Sequence, residues 1–89
     1  MDDELKLIIN HYGLTNQLKK LSEEVYELQE AILLDVNDEE SFKHILEERA
    51  DVEILLSQID LYFDINYSDL IGEMVKKVKR QIERIDNEN

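Results

Sequence analysis

Apolar residues recur along this chain at steps of three and four, the period of an α-helix buried on one side. Leu5, Ile8, Ile9 and Tyr12 make a short first stripe, and Gly13 follows where a left-handed C-terminal cap is expected. Thr15 reads as the N-cap of a second helix whose coiled-coil-like seam comprises Leu14, Leu18, Leu21, Val25, Leu28 and Ile32. That pattern stops at Asp35-Val36-Asn37-Asp38, where Asn37 with Glu40 forms a capping-box-like start for a third helix. Its stripe is Phe42, Ile45, Val52, Leu56, Ile59 and Phe63. Asp64-Ile65-Asn66 interrupts the period, and Asn66 with Asp69 gives another N-cap signal. A fourth stripe of Tyr67, Ile71, Met74, Val78, Ile82 and Ile85 follows, fraying into Asn87-Glu88-Asn89.

Proline is absent and there are only two glycines, so little interrupts long helices. The expected fold is all-α: an antiparallel bundle of about four helices, one of them short, forming a single domain over residues 1–89 without internal repeats. Apolar residues also lie off the main stripes, at Tyr26, Leu33, Leu46, Ile54 and Leu61. A helix that is apolar on more than one side is packed on more than one side. Four helices of an 89-residue chain cannot cover all these faces. A homo-oligomer, a dimer or a tetramer built as a dimer of dimers, is therefore expected.

Against this apolar frame two pairs of acids stand out, Glu24/Glu27 and Glu48/Asp51, each three residues apart and so stacked on adjacent turns of one helix face. On a helical wheel Glu24 borders the Leu21/Val25/Leu28 stripe, Glu27 falls just outside it, and Ala31 leaves space in the same column. Glu48 lies inside the third stripe, between Ile45 and Val52, with Asp51 at its flank. An unpaired ionised carboxylate there costs several kcal/mol unless it is neutralised, paired or bound to a metal. Glu23, Glu30 and Glu47 point away from their stripes, as solvated residues do. Two helices joined by a short connection pack antiparallel, which brings both pairs to one level as a four-carboxylate cluster. Oxygen-only ligands suit Mg²⁺, Mn²⁺ or Ca²⁺ rather than zinc or copper. A lone E-x-x-E is ordinarily just the polar edge of an amphipathic helix; the doubled pattern with Glu48 in the stripe is what points further.

Other metal patterns fail on the same residues. Ferritin-like bundles need Glu-x-x-His, and neither His11 nor His44 has a Glu three residues before it. Asp35 begins an EF-hand-like run, but Glu40 replaces its glycine and Leu46 its closing Glu. With no cysteine there is neither a disulfide nor a thiolate site.

A net charge of −12 argues against nucleic acid as a partner. No apolar run approaches membrane-spanning length, and the acidic Met1-Asp2-Asp3-Glu4 start is unlike a signal peptide, so a soluble cytoplasmic protein without membrane association is expected. The bases are concentrated: Lys76, Lys77, Lys79, Arg80 and Arg84 fall on the fourth helix. Lys77, Gln81 and Arg84 form a column beside its stripe, whereas Lys76 and Arg80 point away and suit the helix C-terminal dipole. Lys20 lies one turn before Glu24 in the acid column. Cations near a carboxylate cluster favour a polyanion held between them, and a phosphate chain carried with Mg²⁺ fits.

The extended motifs Lys20-Leu21-Ser22-Glu23-Glu24-Val25-Tyr26-Glu27-Leu28 and Glu47-Glu48-Arg49-Ala50-Asp51-Val52 resemble those of the MazG-like, all-α nucleoside triphosphate pyrophosphohydrolases. The resemblance runs from about Leu14 to Arg84. It implies a Mg²⁺-dependent enzyme, with Mn²⁺ as an alternative ion, that cleaves a nucleoside or deoxynucleoside triphosphate between its α and β phosphates to monophosphate and pyrophosphate. Glu24, Glu27, Glu48 and Asp51 would be its metal ligands and catalytic carboxylates. Lys77, Gln81 and Arg84 would contact substrate together with Lys20, although Gln81 stands where such proteins usually carry Asn. Members of the family work as dimers or tetramers. The same acids also admit a reading without catalysis, an acidic helical protein that binds a basic partner.

Overall fold

Four helices form where the four stripes lie. In a computed structural model, which describes residues 1–33 and 39–88, they are α1 (Asp2–Tyr12), α2 (Leu14–Leu33), α3 (Glu39–Tyr62) and α4 (Tyr67–Glu88), with no strand among the described residues. The expected capping box at Asn37 lies outside the described residues, as does Asn89.

Gly13 joins α1 to α2 with no other linker. Its N–H donates to Ile9 O at 2.8 Å, and its own carbonyl accepts from Gln17 N–H at 3.1 Å, so one residue closes the first helix and opens the second. The backbone there has φ 88° and ψ 152°, which is not the left-handed cap expected but the extended positive-φ region open essentially to glycine alone. Because the helix restarts at Leu14, Thr15 lies inside α2 and is not its N-cap. The α3–α4 joint is different. Ile65 N–H donates to Asp60 O at 2.9 Å and Asp64 N–H to Leu61 O at 3.4 Å, with Asp64 at φ 53°. That pairing is a Schellman cap with Asp64 in the left-handed position. Asn66 then caps α4 as expected, its Oδ1 accepting from Ser68 N–H at 2.8 Å.

α2 and α3 pack against each other and α1 lies across both, mainly on α3. The core between them contains Leu5 and Ile9 of α1, Ala31 of α2, and Val52 and Leu55 of α3. On α2 the buried column is Gln17, Glu24 and Ala31, flanked by the half-buried Leu14, Leu21 and Leu28. Leu18, Val25 and Ile32 are exposed. The seam read from the sequence is therefore rotated, and its mean direction lies between the face α2 presents to α3 and a second apolar face. On α3, Phe42, Leu56 and Phe63 of the expected stripe are likewise exposed.

α4 packs on none of the other helices. Every residue of it is exposed, including Met74, Val78, Ile82 and Ile85. Among the described residues, no helix is long and apolar enough to cross a membrane.

Candidate functional site

Antiparallel packing of α2 on α3 aligns two columns residue by residue. Gln17, Lys20, Glu24 and Glu27 follow one another along α2 at steps of three, four and three; Glu48, Asp51, Leu55 and Gln58 repeat those steps along α3 in the opposite direction. At one end Gln17 Nε2 donates to Gln58 Oε1 at 2.9 Å. At the other, Glu24, Glu27 and Glu48 each place a carboxylate oxygen within 4.8 Å of the others.

These three carboxylates converge because antiparallel packing sets Glu24 and Glu27 of α2 opposite Glu48 of α3. Glu24 is the most buried, at 8% exposure, and Glu48 is half-buried, while Glu27 opens to solvent. Glu24 Oε2 and Glu48 Oε2 are buried without a hydrogen-bond partner. Two of the three acids have a neighbour one turn earlier on their own helix: Lys20 Nζ lies 3.5 Å from Glu24 Oε1, and His44 Nδ1 lies 3.9 Å from Glu48 Oε1. His44 is exposed, so it is a neighbour of Glu48 and not a packed core histidine. Glu27 carries the electrostatic strain of the arrangement. A hydrogen bond with Glu24 and the negative charge of Glu24 hold its carboxyl above the usual carboxylate range, and the charge of Glu48 adds to them.

Compared with the expected cluster of four, three acids come together. Asp51 is exposed and lies outside the converging set, one turn along α3. It lines, with Glu24 and Lys20, a cleft of about 590 Å³ whose floor includes Gln17 and Gln58 and whose apolar walls include Ile8, Ile54 and Leu55. Lys20 is thus at the site. Lys77, Gln81 and Arg84 are not brought to it within one chain, since α4 packs on neither α2 nor α3.

Two features escaped the sequence reading. Glu24, placed at a stripe border, is more deeply buried than Glu48. The Gln17–Gln58 pair went unread because an amide on a helix face has no chemical signature by itself. Its signal was positional: both glutamines fall in register with the acid columns.

Compared with known proteins, the chain matches no family model, no curated protein and no solved structure. The arrangement of these side chains therefore carries the functional reading.

The donor set fits a hard divalent cation. Each of its three residues offers a carboxylate oxygen, two of those residues, Glu24 and Glu48, have an oxygen buried without a partner, and no nitrogen or sulfur donor of the kind zinc or copper prefers joins the converging set.

Proposed function

We propose that this protein is a Mg²⁺-dependent nucleoside triphosphate pyrophosphohydrolase, cleaving its substrate to monophosphate and pyrophosphate, and that it works as a homo-oligomer. The observation that carries the reading is the pair of buried, unpartnered oxygens, Glu24 Oε2 and Glu48 Oε2, on two residues whose carboxylates converge with that of Glu27 from neighbouring helices. Acid kept merely for solubility has no reason to be buried and left unpaired, because each such group carries a desolvation cost.

Glu24, Glu27 and Glu48 would hold the ion, and Asp51, at the mouth of the same cleft, extends the acidic surface toward the substrate. A divalent cation supplies Lewis-acid neutralisation of phosphate charge at such a site. Lys20, on the cleft wall beside Glu24, holds a phosphate oxygen that faces away from the carboxylates. In the reaction a water oxygen bonds to phosphorus, the anhydride P–O bond between α and β phosphates breaks, and pyrophosphate leaves with that electron pair. A carboxylate of the cluster accepts the proton of the water.

The oligomer follows from α4. Within Tyr67–Glu88 five bases balance five acids, so the whole excess of −12 lies outside this helix. A helix with an uncovered apolar face and a basic run from Lys76 to Arg84 complements the acidic groove of a second copy, bringing Lys77, Gln81 and Arg84 to that copy's cleft.

The test is a panel of nucleoside and deoxynucleoside triphosphates assayed for Mg²⁺-dependent pyrophosphate release. At least one substrate is turned over, and Glu48→Gln lowers the rate by at least about a hundredfold. Absence of turnover across the panel at millimolar metal would overturn the enzymatic reading and leave the acidic interaction protein.

A further inference from the structure

The amide pair that closes the far end of the cleft has no role in holding a metal, yet it is the most deeply buried polar feature among the described residues. Gln58 is 1% exposed and Gln17 is 5% exposed, and both line the cleft that also holds Lys20, Glu24 and Asp51. Their mutual hydrogen bond, 2.9 Å from Gln17 Nε2 to Gln58 Oε1, uses one donor and one acceptor. A carboxamide has two donor hydrogens and two acceptor lone pairs. After pairing, Gln17 keeps its carbonyl oxygen and Gln58 its NH₂ group; their mutual bond is the one side-chain hydrogen bond found for either among the described residues. Exchanging oxygen and nitrogen in both amides reverses the roles and changes nothing else, so the pair presents an acceptor beside a donor whichever way it is assigned.

We infer that the Gln17–Gln58 pair is the subsite for a nucleobase, reading a ring edge that carries a donor next to an acceptor. The inference rests on the nucleotide reading of the carboxylate site and names the part of the substrate that site leaves unrecognised. Its geometry is that of the groove. Seven residues of α2 separate Gln17 from Glu24, two helical turns or about 10 Å, the reach of a sugar and base from the phosphate attached to them. Ile8 and Ile54 give the cleft apolar walls between which a flat ring is desolvated, while the buried amides meet its polar edge. Because two free amides adapt to donor–acceptor or acceptor–donor order, the pair enforces the presence of a base more strongly than the choice among bases. The phosphates then lie at the carboxylate end, where Lys20 stands.

The experiment separates this from hydrolysis. The full chain, without divalent metal, is titrated with the four ribonucleoside 5′-monophosphates and with ribose 5-phosphate, which lacks a base. Binding is read by calorimetry and by the side-chain NH₂ resonances of the glutamines. At least one monophosphate binds about tenfold more tightly than ribose 5-phosphate and shifts both amide resonances. Gln58→Met, close in shape but without the amide, lowers that monophosphate to the level of ribose 5-phosphate. Equal binding of all five compounds, or an unchanged preference in a folded Gln58→Met, would overturn the subsite and leave the pair as a clamp between α2 and α3. Should Gln58→Met fail to fold, the wild-type resonances decide: unmoved amides on saturation with monophosphate refute the inference. Base-selective binding by a protein that releases no pyrophosphate keeps the subsite and removes the hydrolase; turnover with no base preference does the reverse.

Discussion

Glu27 faces two carboxylates buried more deeply than itself, and the consequence is measurable without any substrate. Its folded-state pKa lies above the ordinary value of 4.5, through the hydrogen bond with Glu24 and the charges of Glu24 and Glu48. A raised pKa means that the folded chain binds this proton more tightly than the unfolded one. Its contribution to stability is complete below the ordinary value and is lost as pH rises through the raised one. Thermal melts of the metal-free protein should therefore show Tm rising on acidification from neutrality toward that range, and Glu27→Gln should raise Tm at neutral pH and flatten the rise. A bound divalent cation would relieve the same repulsion and also raise Tm. With Mg²⁺ at a hundredfold excess over Kd, a site on the folded state alone adds about 2.7 kcal/mol, roughly 15 °C for a domain of this size; Glu48→Gln should abolish the shift. The carboxylates were legible in the sequence because their spacing stacks them on one face. Their relative burial was not, because a wheel centred on the apolar mean cannot tell which of two apolar faces meets α3.

At the scale of elements, helix positions were readable from periodicity and the joints less so. Asn66 behaves as its sequence signal says. Thr15 does not, because Gly13 already turns the chain between helices and its carbonyl receives the first hydrogen bond of α2. A Cβ at Gly13 meets no atom within 4 Å, so any penalty for Gly13→Ala comes from the backbone angles alone. Strain of this kind costs about 1–3 kcal/mol, which chemical denaturation would register as a lowered midpoint with unchanged slope. α3 shows why one stripe was hard to assign: α2 and α1 both lie on it, and Phe42, Leu46 and Ile54 remain outside those contacts. α4 is the clearest stripe in the sequence and the one that nothing covers. Placing acids at its centre with Val78→Glu/Ile82→Glu should leave the helices formed, as circular dichroism reports, while separating the oligomer into monomers by light scattering.

As a whole molecule the single chain is open. Its radius of gyration is 16.5 Å, where a compact chain of this length has about 12 Å. Its accessible surface is 7461 Å², about 2,000 Å² more than a folded monomer of 10.6 kDa presents. That excess matches what stable and obligate interfaces bury. It is the physical reason for expecting two or four copies, with α4 of each seated on another. The same expectation was raised in the sequence by apolar residues beyond the main stripes; which helix stands clear of its own chain was not legible there, because periodicity reports an amphipathic face and not the partner of that face. The most direct test of the account is ³¹P NMR of the products formed by the wild-type oligomer from its best triphosphate substrate with Mg²⁺. The account predicts a nucleoside monophosphate and pyrophosphate in equal amounts, lost together in Glu48→Gln. A nucleoside diphosphate with inorganic phosphate, or an unchanged triphosphate, would contradict it.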